Sequence, residues 1–179
     1  MNKSIRVAFC GIITALGTLL MIATGLIPIG TYALPALAGA LCVIIVVEMG
    51  VKWAIPVYIA ISVISLLLAA DKEAVVLFIA FFGYYPILKA KLESLHKKLM
   101  EYLIKFAAFN AAMIIAFFIT IYVLRVPQES FTMFGIYLPW VFLAVGNVVF
   151  IIYDYAVSGL VVVYCQRFRK SFNRFLHMK

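Results

Sequence analysis

The stretch FIIYDYAVSG, residues 150–159, carries one carboxylate, Asp154, between two tyrosines inside one of the most apolar parts of the chain. The 179-residue sequence is 67% hydrophobic and 12% charged, whereas a soluble domain is roughly half apolar and a quarter charged. No soluble fold of this size buries so much apolar side chain, so lipid must be its main solvent. Long apolar runs recur along the whole length and predict an all-α integral membrane protein.

Six apolar segments are predicted to cross the membrane as one bundle, which forms a single domain over residues 1–179. Turn-forming residues or helix caps separate the segments, at Pro28, Gly30, Gly50, Asp71 and Pro127. The first segment is too long for the apolar core of a signal peptide and is interpreted as a retained helix. The second segment is short for a span. The predicted spans are Ser4–Leu26, Leu34–Met49, Val51–Ala70, Lys72–Leu92, Met100–Leu124 and Tyr137–Arg167.

Lysine and arginine are distributed unevenly between the two ends of this bundle. Thirteen of the 15 fall on the side of the N-terminus, and only Lys72 and Arg125 fall on the other. Since basic residues are enriched on the cytoplasmic side, both termini are predicted to be cytoplasmic. We expect a multi-pass protein of a bacterial plasma membrane whose basic side contacts anionic membrane lipid. The net charge of +8 requires no nucleic-acid partner.

The connection LKAKLESLHKKLMEYLIK, residues 88–105, is the longest charged stretch. Its leucines recur at helical spacing, at Leu92, Leu95, Leu99 and Leu103. This pattern predicts that the fourth span continues into an amphipathic helix on the cytoplasmic surface. A solvated connector is the alternative.

Motifs for enzymatic chemistry are absent from the sequence. It contains no GxxxxGK, HExxH or GxSxG pattern. The histidines His96 and His177 lie in basic segments, and the three cysteines have no metal-binding spacing. We therefore expect no enzymatic activity, no cofactor and no metal site.

Asp154 shares one face of the sixth predicted span with Asn147 and Ser158. Polar residues inside a span usually face the bundle interior. Asp154 is either a proton, cation or ligand site, or a carboxyl held by hydrogen bonds or by an ion pair with Lys89. No basic residue is predicted at its own depth, so it is interpreted as a lone acid. Asn147, nearer the outer end, is the better ligand candidate.

The stretch FFGYYPILK, residues 81–89, places Pro86 inside the fourth predicted span. Proline removes one backbone hydrogen bond and frees the carbonyl about one turn earlier, near Phe82. A kink is therefore predicted here, either as a hinge or as simple packing relief.

Ala8, Gly11 and Ala15 give the first predicted span a face of small residues. Such a face lets another helix approach closely. The approaching helix belongs either to this bundle or to a partner protein, and the sequence leaves both open.

With six spans, about 180 residues, a small-residue face on the first span and a Pro/Gly connection before a short second span, the chain resembles the substrate-binding S components of energy-coupling factor (ECF) vitamin transporters. In that family an Ala-x-x-x-Ala motif on the first helix docks on a transmembrane T component. The nearest match here is Gly11-x-x-x-Ala15, with Ala8 one turn earlier.

The resemblance implies a subunit that binds a vitamin or similar micronutrient on the outer face and works with a T component and two ATPases. It places the ligand in the first outer connection and the outer parts of spans four to six. By position, the implied ligand-binding residues are Thr31, Tyr32, Phe78, Phe82, Thr120, Tyr137, Trp140 and Asn147.

Other functional classes remain open from the sequence. The chain is alternatively a stand-alone proton-coupled transporter that uses Asp154, or a structural or assembly membrane protein whose polar face sets helix packing.

Overall fold

A computed structural model describes residues 3–27, 30–94, 97–125, 132–133, 136–137 and 139–168, and nearly all of them are helical. The helices are α1 (Lys3–Ala23), α2 (Gly30–Met49), α3 (Val51–Leu68), α4 (Lys72–Leu77), α5 (Tyr85–Glu93), α6 (Lys98–Tyr122) and α7 (Pro139–Val163). A π-helical segment, Phe78–Phe82, joins α4 to α5, and another, Tyr164–Phe168, continues α7. Two short antiparallel strands, β1 (Thr132–Met133) and β2 (Ile136–Tyr137), precede α7.

Six helical units in the described residues are long and apolar enough to cross a membrane, with α4, the π-helical segment and α5 acting as one unit. The prediction of a six-helix membrane fold is confirmed at this level. The side of the membrane on which the termini lie stays a prediction from the basic residues. We call the end of the bundle where α1 begins the inner end, and the opposite end the outer end.

The second span begins at Gly30 instead of Leu34, so the prediction of a short helix is wrong. Its 20 residues reach about 30 Å, which is enough to cross the hydrocarbon core. The extra turn is anchored at its start, where the Thr31 hydroxyl donates to Asp71 Oδ2 at 2.8 Å. Asp71 also caps α4 as predicted, because its Oδ1 accepts from the Ala74 N–H at 3.0 Å.

The predicted break around Pro86 is confirmed. Pro86 lies in the first turn of α5, directly after the π-helical segment. Neighbouring helices meet the irregular backbone at two points. The Tyr58 hydroxyl of α3 donates to the Ile79 carbonyl at 2.9 Å. On α2, Gly39 lies directly against the Phe82 carbonyl, and a Cβ at position 39 would collide with it.

The interior consists of two packed groups of side chains. An aliphatic group joins α1 to α4 and includes Ile13, Met21, Ile45 and Ile61. An aromatic group joins the π-helical segment and the start of α5 to the middle of α6 and α7. Its aromatic members are Phe81, Tyr85, Phe109 and Phe150, which we call the aromatic layer. The Phe109 and Phe150 rings stack with centroids 4.7 Å apart. The last span is the least enclosed of the six. Of the residues in its 18-residue apolar stretch, 11% are buried inside the protein, whereas the corresponding share for the fourth span is 56%.

The predicted amphipathic surface helix over residues 92–103 is wrong, because two different spans share this stretch. α5 ends at Glu93, where the Ser94 hydroxyl donates to the Lys91 carbonyl at 2.6 Å. Leu92 is buried in the bundle, whereas Leu99 and Leu103 are exposed on α6. Leu95 and His96 lie outside the described residues. The described leucines of this stretch therefore lie at the ends of two separate helices, α5 and α6.

Replacing Gly39 by leucine tests the close approach of α2 to the helix break. The added side chain meets the Phe82 carbonyl and the Tyr153 hydroxyl, so we expect a loss of about 1–3 kcal/mol in the free energy of unfolding. Unfolding of the purified protein in detergent measures this loss. Gly11→Leu is the matched control, since a Cβ at Gly11 meets nothing within 4 Å. Equal stability of the two variants would contradict the close contact between Gly39 and the Phe82 carbonyl.

Candidate functional site

Five charged side chains from three helices meet in the inner half of the bundle. They are Lys89 and Glu93 on α5, Glu101 and Lys105 on α6, and Asp154 on α7, and we call them the ion cluster. The two lysines are among the most buried residues of the described chain, with relative exposures of 3% for Lys89 and 2% for Lys105. A buried cation is costly unless it is paired. The cluster provides that pairing.

On each of two helices, a spacing of four residues places a lysine beside a glutamate. Lys89 and Glu93 are four residues apart on α5, with Nζ and Oε1 at 3.1 Å. Glu101 and Lys105 have the same spacing on α6, with the two atoms at 2.5 Å. Residues four apart share one face of a helix. Because α5 and α6 are joined by a short connection at the inner end, Lys105 Nζ also approaches Glu93 Oε1 at 3.5 Å.

Asp154 links α7 to the other two helices through one carboxylate oxygen. Its Oδ1 accepts hydrogen bonds from the Tyr85 hydroxyl and from Lys89 Nζ. Lys105 Nζ lies 3.4 Å from the same oxygen. Lys89 Nζ also donates to the Asp154 backbone carbonyl at 3.2 Å, and the Ser158 hydroxyl donates to that carbonyl at 3.0 Å. The ion pair with Lys89, one of the alternatives that the sequence left open, is therefore present, and the interpretation of Asp154 as a lone acid is wrong.

The formal charges of the cluster do not cancel. Two ammonium groups face three carboxylates, which leaves one net negative charge when all five groups are ionised. The Glu93 side chain is 48% exposed, whereas the Glu101 and Asp154 side chains are 16% and 17% exposed. The excess charge is therefore least costly on Glu93, at the inner rim. Tyr85, Asp154 and Lys89 form a continuous hydrogen-bonded chain that leads inward.

A second polar contact joins α6 to α7 one to two turns further outward. Asn110 and Asn147 exchange two amide hydrogen bonds of 2.9 and 3.0 Å. The remaining amide proton of Asn147 goes to the Leu143 carbonyl at 2.9 Å. Both donors of the predicted ligand residue Asn147 are therefore used inside the protein. Its observed role in this arrangement is helix pairing.

The other implied ligand-binding residues lie apart. Tyr32 is 63% exposed and Trp140 is 75% exposed, whereas Phe78 and Thr120 are buried. Thr31 is bonded to Asp71, and the Phe82 ring packs against Tyr153 with centroids 5.2 Å apart. The side chain of Tyr137 lies outside the described residues. These residues do not line either of two cavities found in the described part of the chain.

Those two cavities both lie toward the inner end. One, of about 100 Å³, lies between α2, α5 and α7 and touches Lys89 and Glu93. The other, of about 300 Å³, is a shallow apolar groove on α6 formed by Leu99, Tyr102, Leu103 and Phe106. Within the described ranges, no group of three or more His, Cys, Asp or Glu side chains is arranged to hold a metal ion.

The small-residue face of α1 points away from its own bundle. Ala8, Gly11 and Ala15 are exposed, and a Cβ at Gly11 would meet nothing within 4 Å. The opposite face packs inward, where a Cβ at Gly17 would collide with Ile61 of α3. Of the two alternatives left by the sequence, internal packing is excluded for this face.

Sequence reasoning missed Glu93, Glu101 and Lys105 as members of an intramembrane site, because they were counted as residues of the cytoplasmic side or as span ends. Tyr85 was considered only as part of the predicted kink. One signal was available. Lys89/Glu93 and Glu101/Lys105 are both opposite charges four residues apart on apolar helices, a pattern of paired charges on one helix face.

Comparisons with protein-family models, with curated proteins and with solved structures find no significant match in any of the three.

Replacing Asp154 by leucine leaves two buried lysines with only Glu93 and Glu101. Each lysine keeps a glutamate four residues away on its own helix, so the loss is that of hydrogen bonds to charged groups, about 1.5–3 kcal/mol, and we expect a loss of this size in unfolding experiments in detergent. Removing Lys89 as well, in Asp154→Leu/Lys89→Leu, restores part of the loss. Tyr155→Leu is the control, since this neighbouring side chain is 81% exposed. Strictly additive single losses would contradict the direct pairing of Lys89 with Asp154.

Proposed function

We propose that this protein is the substrate-binding membrane subunit of an ECF-type importer. It captures a vitamin or similar micronutrient on the outer face and delivers it together with a transmembrane T component and two ATPase subunits. The chain itself supplies binding and movement across the membrane, and it performs no enzymatic step.

The observation that carries this proposal is the outward face of α1. Ala8, Gly11 and Ala15 form a smooth strip that the protein's own helices leave uncovered. In lipid, the hydrophobic effect gives helices little reason to associate, so close backbone contact at small residues becomes a main source of attraction. This face therefore supports docking on another transmembrane helix.

The remainder of α1 is consistent with a docking helix that stays attached to its own bundle. Its inward face is buried through Ile13, Gly17, Thr18 and Met21. A partner can therefore approach the small-residue face without displacing the core. ATP hydrolysis belongs to partner chains under this proposal, because the sequence has no phosphate-binding loop.

Substrate binding under this proposal requires a local rearrangement of the fourth span. The implied ligand residues Phe78 and Phe82 are the two ends of the π-helical segment. π-Helical turns often occur at functional sites, and Pro86 leaves the Phe82 carbonyl without its helical donor. The helix break is thus the place where the fourth span can open a pocket with least loss of backbone hydrogen bonds.

Gly11→Leu tests the docking face directly. The chain is co-expressed with an affinity-tagged T component and its two ATPases, and the amount that co-purifies is measured. We expect Gly11→Leu to reduce co-purification about tenfold or more, because the added side chain separates the two helix backbones.

Gly159→Leu is the matched control for this experiment. Gly159 is also an exposed helical glycine whose Cβ would meet nothing within 4 Å, but it lies on α7. The proposal fails if the unmodified chain does not co-purify, or if Gly11→Leu associates as well as Gly159→Leu does.

The ion cluster favours a second candidate function, a stand-alone proton-coupled transporter. Asp154 is joined to two lysines and a tyrosine inside the membrane, and ionisable residues in spans often form proton relays. The purified chain alone, in liposomes loaded with a pH-sensitive dye, should then move protons under an imposed pH gradient. Asp154→Asn should abolish that flux, while Tyr155→Leu should retain it. An absence of flux from the unmodified chain rejects this candidate.

A further inference from the structure

The cavity beside the ion cluster lies within about the last two turns of three helices. Val43, Val46 and Val47 line it from α2, Val157 and Val161 from α7, and Pro86, Lys89, Ala90 and Glu93 from α5. α2 ends at Met49 and α5 at Glu93, and α7 passes at Val163 into the π-helical segment Tyr164–Phe168. The cavity therefore lies at the inner end, where the half-exposed Glu93 side chain marks its rim.

Its lining combines apolar walls with two charged residues. A cavity needs an internal volume of roughly 10–15 Å³ to hold one water, together with polar groups that hydrogen-bond to that water. The volume of about 100 Å³ admits several waters, and Lys89 and Glu93 supply the polar partners. A dry cavity at this place would leave the open side of the Lys89–Glu93 pair against hydrocarbon, which is unfavourable.

We propose that this cavity is a water-filled vestibule that connects the inner face of the membrane to the ion cluster. It is a binding site for water, and for hydronium arriving with it, with Glu93 at the mouth and Lys89 at the inner wall. Lys89 in turn contacts Asp154. The bulk solution on the inner side thereby reaches the one carboxylate that α7 contributes to the cluster.

The same vestibule is closed toward the outer end. The aromatic layer lies about one turn outward of the cluster on each helix, with Tyr85 outward of Lys89, Phe109 outward of Lys105 and Phe150 outward of Asp154. Phe81 and Tyr85 are fully buried, and Phe81 contacts the rings of Phe109 and Phe150 at 5.1 and 5.7 Å. The aromatic layer thus separates the cluster from the outer end on the side of α5, α6 and α7, and under this proposal water reaches the cluster from the inner face. This inference does not depend on the proposed role as an importer subunit.

Cysteine labelling tests the vestibule. The native cysteines Cys10, Cys42 and Cys165 are replaced by alanine, and single cysteines are introduced by Val161→Cys and Val162→Cys. The two positions share a helix and a depth, but Val161 lines the cavity whereas Val162 is 52% exposed on the lipid side. The purified variants are reconstituted in liposomes and treated from either side with a membrane-impermeant, positively charged methanethiosulfonate.

A thiol ionises and reacts in water but not in hydrocarbon, so we expect Val161→Cys to react about tenfold faster than Val162→Cys, or more. Ser94→Cys, an exposed position at the end of α5, identifies the inner face. Labelling of Val161→Cys should occur only from the side that labels Ser94→Cys. Equal rates at Val161 and Val162, or labelling from the opposite side, would overturn the proposal.

Val47→Cys repeats the measurement from the α2 wall, in case a cysteine at Val161 disturbs folding. Size-exclusion elution in detergent reports whether each variant is folded. Adding Val161→Phe to Val47→Cys should slow labelling at Val47, because the larger ring fills the cavity. Unchanged labelling in this double variant would show that the reagent does not travel through the cavity, and would equally overturn the proposal.

Discussion

A charge inside a bilayer must find its partner within the protein, and the inner half of this fold is arranged around that constraint. Lys89 and Lys105 are almost fully buried, and each is held by carboxylates from more than one helix. Since unpaired ammonium groups would be expelled from this environment, the positions of α5, α6 and α7 relative to one another are tightly restricted. The ion cluster thus fixes the relative positions of these three helices, and the aromatic layer packs between them one turn further outward.

A related constraint governs the backbone of the fourth span. In lipid, every peptide group needs a partner within the protein, yet Pro86 and the π-helical segment interrupt the regular hydrogen bonds. Tyr58 donates to one of the irregular carbonyls, and Gly39 allows α2 to approach another. The break thus lies where the aliphatic group of α1–α4 meets the aromatic layer, because Phe78 belongs to the first and Phe81 to the second.

The sequence was sufficient to predict the number of spans, the Asp71 cap and the break at Pro86, because each depends on a local property. The length of an apolar run, a capping side chain one turn from the N–H that it accepts from, and a proline that lacks an N–H are each visible in a short stretch of sequence. The ion cluster was not predictable in the same way. Lys89 and Lys105 were counted by the side of the membrane on which they fall, and that count cannot show which way a helix is rotated.

The predicted ligand residues illustrate the same limit. Asn147 was selected for its depth on one helix, but its amide protons are used by Asn110 and the Leu143 carbonyl. Tyr32 and Trp140 were selected for their position near the outer end, and both are exposed. The small-residue face of α1 was visible in the sequence, whereas its outward direction required the packing of Gly17 against Ile61.

The order of the cluster residues along the chain has a consequence for biogenesis. Asp154 is synthesised 49 residues after Lys105, which at about 5–20 residues per second is a delay of seconds. During that interval both lysines already belong to helices that must leave the translocation machinery. Glu93 and Glu101, one turn away on the same helices, are the acids made early enough to accompany them. The pairs Lys89/Glu93 and Glu101/Lys105 are therefore neutral before the last helix is made, and Asp154 adds the one excess negative charge of the ion cluster.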